Sequence, residues 1–161
     1  MLVTEMTKDD FDNFWPIFKT IIEAEETYAF DPGLNQEQAY QLWCTSAEKA
    51  FVIKEGNEVL GTYYIRPNAA GPSSHISNCG YMVSPKSRGK GIAKTLCLHS
   101  QKTALALGYT AMQFNSVVSS NIIAIGLWEK LGFVIIGTIP NAYDHKTLGL
   151  IDSYIMHKQL N

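Results

Sequence analysis

The stretch "VSPKSRGKGIAKTL", residues 83–96, sets a proline, basic residues and two glycines between a β-like run and an amphipathic run. A chain that leaves a strand through Val83, Ser84 and Pro85 and enters a helix within "RGKGIA" leaves several backbone N–H groups at the helix start without intrahelical partners. The positive end of the helix dipole, with Arg88 and Lys90 beside it, makes that turn a site for phosphate. Gly89 and Gly91 let the main chain approach an anion with no Cβ in the way. The alternative is a tight turn whose basic residues only serve solubility. Two phosphate loops are excluded. A P-loop requires G-x-x-x-x-G-K-[ST], yet Gly89-Lys90 is followed by Gly91, and Ser84 stands where the first glycine belongs. The dinucleotide fingerprint fails because Lys94 takes the place of the third glycine and no acidic residue lies near position 111.

Other candidate chemistry is sparse. Cys44, Cys79 and Cys97 are widely spaced, with no CxxC pair or Cys/His cluster of zinc spacing, so they read as reduced, core-filling thiols and no metal is expected. Asn78 and Asn115 are polar residues in β-favouring runs. The donors and acceptor of their amides suit a carboxylate or an amide ligand, or they tie neighbouring backbone together.

The elements that must position these groups follow from pattern. With 161 residues, 46% apolar and 17% charged, the chain fits one domain, residues 1–161, able to bury its own core. The net charge of −2, with no Lys/Arg-rich run, gives no footprint for nucleic acid. No apolar stretch approaches a membrane span, and "MLVTEMTKDDFDNFW" lacks the layout of a signal peptide, so a cytoplasmic location is expected.

Helical spacing of Phe11, Phe14, Trp15, Phe18, Ile21 and Ile22 behind Thr7 predicts a helix over 8–24, kinked or split at Pro16. A second helix is expected over about 35–48. "AFVIKEGNEVLGTYYIRP" reads as a hairpin turning at Gly56-Asn57, and "HISNCGYMV" as a strand. A helix then runs to Leu107 before Gly108, "AMQFNSVV" is a strand, and "SSNIIAIGLWEKLGF" a helix. "FVIIGTIP" and "LIDSYIMHKQL" close the chain as strands around a polar loop, 140–149. The order ααβββαβαββ implies a mixed α/β sheet with helices on both faces.

"VSPKSRGKGIA" resembles the coenzyme A-binding motif of the GCN5-related N-acetyltransferases (GNAT), with Arg88, Gly91 and Ala93 at its defining positions. "NIIAIGLWEKLGF" resembles that family's later helix motif, with Asn121, Ala124, Leu127, Glu129, Lys130 and Leu131-Gly132-Phe133 in register. The resemblance covers essentially the whole chain. It implies a GNAT-type mixed, mostly antiparallel twisted sheet whose central strands, about 75–83 and 111–117, splay apart.

Acetyl-CoA would be the co-substrate, its pyrophosphate on Arg88, Gly89, Lys90, Gly91, Ile92 and Ala93. Its pantetheine would lie against backbone groups of Tyr81, Met82 and Val83, near Asn121 and Trp128. Attack on the thioester would be direct, so neither Cys79 nor Ser84 is assigned as a nucleophile. Many members carry a Tyr, proposed to protonate the leaving thiolate, where this chain has Trp128, whose indole can donate a hydrogen bond but not a proton. Core packing is the competing reading of Trp128.

No general base is assigned. Glu25, Glu26, His75, Asp144 and His145 are candidates, and water relayed through polar side chains is another. "MQFNSVVSSN" and "GTIP" resemble the subgroup containing acetyltransferases for azetidine-2-carboxylate, and "EAEETYAF" loosely resembles the phosphinothricin acetyltransferases. Both imply a small, amino-acid-like amine as acceptor, with Asn78 and Asn115 as its contacts and the loop 140–149 as its cover. A non-catalytic acyl-CoA sensor and a protein or peptide N-acetyltransferase are the alternatives. The resemblance also implies a homodimer through the C-terminal strands.

Overall fold

The computed structural model describes residues 1–161. Strand β1 (Leu2–Glu5) precedes helix α1 (Lys8–Ala24), a five-residue helix α2 (Gln36–Tyr40) and a π turn at Gln41–Thr45. Strands β2 (Lys49–Glu55), β3 (Glu58–Pro67) and β4 (Ile76–Val83) follow. Helix α3 (Ile92–Ala106), strand β5 (Ala111–Val118), helix α4 (Ile122–Lys130) and strands β6 (Val134–His145) and β7 (Gly149–Gln159) complete the chain. The strands form one seven-stranded sheet in the order β1-β2-β3-β4-β5-β7-β6. Every pairing is antiparallel except β4 with β5.

Local chemistry explains the helix starts. The Thr7 hydroxyl accepts from the Asp10 amide at 3.1 Å while the Asp10 carboxylate accepts from the Thr7 amide at 3.0 Å, a capping box that fixes the entry to α1. Asn35 and Gln38 make the same exchange for α2. Of the kink or split expected at Pro16, the split does not occur: helix α1 is continuous from Lys8 to Ala24. Pro16 lies on the exposed face, where water can satisfy the carbonyl its missing N–H leaves free.

Two cores flank the sheet. On one face Phe11, Phe14, Phe18 and Ile22 of α1 meet Trp43, Val52, Tyr64 and Met82. On the other, Ile92, Leu96 and Cys97 of α3 and Trp128 of α4 pack on Leu60, Tyr63, Cys79, Met112 and Phe114. All three cysteines are unpaired, with Cys79 and Cys97 buried. No helix is long and apolar enough to cross a membrane.

Three further expectations are corrected. Strand β1 stands ahead of the first predicted element; four residues are too few to show periodicity. The second helix stops early. Its π turn swings Trp43 to full burial, where the indole N–H donates to Thr62 Oγ1 at 3.1 Å. The polar loop 140–149 is mostly strand, because β6 continues to His145 and only Lys146–Leu148 turns into β7. The polar look comes from a pairing irregularity between Ile139 and Tyr143, where Asn141 adopts φ 50° and its amide donates to Asp152 Oδ1 at 3.0 Å.

Candidate active site

The β4–α3 turn is built to leave donors free. After β4 the chain makes a 3-10 turn over Pro85–Ser87, closed by Ser87 N–H to Ser84 C=O at 2.8 Å. Gly89 (φ 79°) and Gly91 (φ 72°) hold left-handed conformations that side-chain-bearing residues adopt at a cost. Gly91 is the N-cap of α3 and supplies no side-chain cap. The first helical bond is Thr95 N–H to Gly91 C=O at 3.0 Å, so the amides of Ile92, Ala93 and Lys94 have no intrahelical acceptor. A Cβ built on Gly89 or Gly91 would meet nothing within 4 Å, so the space before these amides is open. Arg88, Lys90 and Lys94 are exposed around it and the first turn holds no acid. Ile92, 2% exposed, anchors the helix start against Gly61, where a Cβ would come within 2.9 Å of the Ile92 side chain. These features fit a diphosphate.

Beside this turn the sheet opens. Strands β4 and β5 pair only from Ile76 to Asn78 against Ala111 to Gln113 and then diverge. The β3–β4 ladder tells which peptide groups face the gap. Ser84 N–H bonds Leu60 C=O at 2.8 Å and Asn68 N–H bonds Ile76 C=O at 2.8 Å, so the even-numbered residues of β4 are bonded to β3. Tyr81 and Val83 therefore turn their N–H and C=O groups into the gap, whereas those of Met82 face β3 and its side chain is buried, 2% exposed. Of the three backbone positions expected, two are presented to a ligand. One is already engaged: Tyr28 Oη donates to the Tyr81 carbonyl at 2.6 Å.

The α4 side of the gap is aromatic. Trp128, 7% exposed, lies with its ring centroid 5.0 Å from Tyr81 and 5.2 Å from Phe114, and the Tyr81 hydroxyl is 2.6 Å from Ser100 Oγ. This is the packing reading of Trp128. Asn121 caps α4, its Oδ1 accepting from Ala124 N–H at 3.4 Å, which leaves its Nδ2 uncommitted to the cap.

Family evidence joins this geometry. The model of the acetyltransferase (GNAT) family matches residues 11–133, a span containing the turn, both splayed strands and α4. The chain belongs to this family. It is 34% identical over 152 residues to the N-acetyltransferase aca1 of Schizosaccharomyces pombe, covering 94% of this chain and 67% of that protein. A GCN5-related N-acetyltransferase from Kribbella flavida superposes with a TM-score of 0.93 at 37% identity, covering 99% of this chain and 97% of that one. A phosphinothricin acetyltransferase from Sinorhizobium meliloti, solved with acetyl-CoA, shares the fold at a TM-score of 0.87 and 18% identity over 99% of this chain and 88% of its own. The GNAT protein described here is accordingly an N-acetyltransferase.

On the α1 face of the gap the GNAT sheet carries a polar network. Asn78, 6% exposed, has both ends of its amide engaged, accepting from Tyr64 Oη at 3.0 Å and donating to the Gln113 carbonyl at 3.0 Å. It ties β4 to β5 at the last paired rung. Asn115 is exposed, donating to Asn68 Oδ1 at 2.7 Å and accepting from Gln113 Nε2 at 3.1 Å. Among the candidate bases, Glu25 lies at the left-handed C-cap of α1 (φ 50°), whereas His145 Nδ1 accepts the Thr147 and Leu148 amides and so caps the β6–β7 turn. His75 precedes β4, at the opposite end of the strand from the glycine turn. Among the side chains there is no grouping of three or more His, Cys, Asp or Glu residues suited to a metal ion.

Several residues at the gap were not found from sequence. Gly80 is the clearest: a Cβ there would lie 2.2 Å from the Tyr64 ring and 3.1 Å from the Tyr28 hydroxyl, so the glycine makes room for both phenols. A glycine inside a strand was the available signal. Tyr28, Tyr64 and Tyr143 gave none, being ordinary tyrosines in isolation. Burial raises the hydroxyl pKa of Tyr28 well above its usual value, further raised by Tyr64. Burial likewise raises Tyr64 against the opposing charge of Arg66, and raises Tyr143 with help from Glu25 and Glu26. These hydroxyls are neutral donors at physiological pH.

Proposed function

We propose that this GNAT enzyme transfers the acetyl group of acetyl-CoA to the amine of a small, amino-acid-like acceptor by direct attack in a ternary complex. Bound acetyl-CoA supplies the thioester; the new N–C bond replaces its C–S bond, the amine releases a proton and the thiolate departs. The unpartnered amides of Ile92 and Ala93, with Arg88 and Lys90, hold the diphosphate. The backbone of Tyr81 and Val83 receives the pantetheine as an added strand. An N–H of that pair, aimed into the gap, stabilises negative charge on the carbonyl oxygen. Trp128 and Phe114 wall the gap and exclude water. A thiol with a pKa near about 8.5 leaves tolerably without an enzymic acid, so Trp128 in place of Tyr is compatible with turnover.

The observation that carries the small-acceptor reading is a strap over the α1 side of the gap. Tyr143 Oη on β6 donates to the Tyr28 carbonyl at 3.0 Å, Lys146 N–H to the Glu25 carbonyl at 3.1 Å, and Lys146 Nζ to the Glu23 carbonyl at 3.3 Å. The β6–β7 hairpin is thereby joined to the segment after α1 across the side on which a peptide groove would have to open. Asn115 faces the acceptor, and Asn78, its amide taken up by Tyr64 and Gln113, holds the wall behind it. Thiol release from acetyl-CoA, measured with free amino acids against short peptides, tests the reading. Turnover confined to free amino acids supports it; turnover confined to peptides overturns it in favour of protein acetylation.

The same reading includes a single domain over 1–161, a homodimer and a cytoplasmic setting. Support for the dimer is that β6 is an edge strand with Val134 and Ile136 58% and 56% exposed, an unpaired template for a second copy. Support for the cytoplasm is three unpaired thiols.

A further inference from the structure

Arg66 is a cation without a counter-charge in a place where a ligand would find it. The salt bridges of the protein are Lys8–Asp12, Lys19–Glu23, Lys49–Glu5 and Lys54–Asp10, and none involves Arg66. Its guanidinium lies over the Tyr64 ring, 4.7 Å from the centroid, and donates to Tyr64 Oη at 3.4 Å. A phenol and its ring orient a guanidinium without neutralising it. The side chain is half-buried, so its position is held before any ligand arrives.

Register locates that charge. Arg66 pairs with Asn78 and Tyr64 with Gly80 across the β3–β4 ladder. By lying over Tyr64, whose hydroxyl meets Asn78 and whose ring borders Gly80, the Arg66 head group stays on the Asn78–Gly80 stretch of this face, where β4 and β5 begin to part. The surroundings are neutral donors and acceptors: Tyr64 Oη bonds Asn78, whose Nδ2 bonds the Gln113 carbonyl, while Asn68, Asn115 and the Gln113 side chain form a second chain of amides. Along β4, Asn78 and Tyr81 are three residues apart, about 10 Å at strand rise. An arginine side chain and one small amino acid together cover that span.

The geometry points to Arg66 as the anchor for a carboxylate on the acceptor, the group that selects amino acids over other small amines. A carboxylate takes two parallel N–H···O bonds from a guanidinium, and the amide row accepts or donates to whatever polar group remains. With the acid end fixed at Arg66, the amine is turned toward the Tyr81–Val83 edge where the thioester would lie. This inference rests on the small-acceptor reading and adds to it the chemical group that is read.

The test compares kcat/KM for each amino acid turned over with that for its carboxamide, in wild type, Arg66→Gln and Arg66→Lys. The wild-type ratio of acid to amide is expected at about 10- to 100-fold, the usual range for a charge-assisted pair. Arg66→Gln should bring the ratio close to one, and Arg66→Lys should leave an intermediate value, since it keeps the charge and loses the fork. Acetyl-CoA affinity by calorimetry shows that each variant is folded. A wild type that prefers acids and keeps that preference as Arg66→Gln, or one that treats acids and amides alike, overturns the role of Arg66 while leaving acetylation of small amines intact. A wild type acting on no small amine overturns both.

Discussion

Replacing Gly91 by Glu sets a carboxylate on the last residue before the free amides of α3. The position is the N-cap of the helix, at φ 72°, with open space where the new side chain would start, so the fold tolerates the change at the cost of a left-handed non-glycine residue, about 1–2 kcal/mol. The electrostatic term is separate. A carboxylate about 4 Å from one phosphate charge is opposed by about 1 kcal/mol in water and about 4 kcal/mol at the effective dielectric of a protein surface. A diphosphate brings two such charges, so even the aqueous figure gives about 2 kcal/mol, or roughly a 30-fold rise in Kd. A carboxylate at this N-cap can also accept from the amides of Ala93 and Lys94, competing with the ligand for donors. Gly91→Gln carries the bulk and backbone strain without the charge. Calorimetric titration with acetyl-CoA should therefore rank wild type tightest, Gly91→Gln weakened, and Gly91→Glu weaker than Gln by at least about 30-fold, with the gap between the two variants shrinking in high salt. A folded Gly91→Glu protein with wild-type affinity would refute the assignment of the turn, and equal loss in both variants would refute the electrostatic argument.

Three further outcomes follow from particular contacts. Trp128→Phe, which keeps an aromatic ring against Tyr81 and Phe114, should retain activity within about 10²-fold; a larger drop in folded protein would show that the indole N–H has a catalytic role as a hydrogen-bond donor, beyond packing. Gly80→Ala forces a methyl into the Tyr64 ring and should destabilise the protein by about 1–3 kcal/mol, read as a lowered Tm, with disturbed acceptor kinetics even below the melting transition. For Asp10, burial alone would raise the carboxyl pKa, but the Thr7 amide and hydroxyl and Lys54 at 2.9 Å outweigh it and hold the pKa below its usual 3.8. A depressed folded pKa contributes stability above the unfolded value and loses it as pH falls through the folded one. The Tm difference between wild type and Asp10→Asn should thus be full near pH 6 and shrink below about pH 4; a difference that persists unchanged at pH 3 would contradict the assignment.

What the sequence disclosed was chemistry written in consecutive residues. The turn from Val83 to Ala93 and the α4 segment from Asn121 to Phe133 carry their signals locally, as glycines with fixed offsets and a cap before an apolar stripe, and both stand where expected. Thr7 as N-cap, the Gly56-Asn57 hairpin and the divergence of β4 from β5 were legible for the same reason or through family likeness. The acceptor side was not. Tyr28 reaches Tyr81 across 53 positions and Tyr143 reaches Tyr28 across 115, contacts that no window of sequence contains. Asn78 was recognised as important, but its engagement with Tyr64 and Gln113 depends on which peptide groups the β3–β4 register turns inward. The irregular pairing near Pro140 made a strand look like a loop because Pro, Asn and Asp are the residues of turns as well as of bulges.

The most direct test of the account is diffraction from crystals of the protein grown with acetyl-CoA. The diphosphate is expected on the amides of Ile92 and Ala93 beside Arg88, the pantetheine in the β4–β5 gap bonded to Tyr81 and Val83, and the thioester facing the Tyr28, Tyr64 and Arg66 side of the sheet. Acetyl-CoA found outside that gap, or bonded to the sheet through Met82 instead, would contradict it.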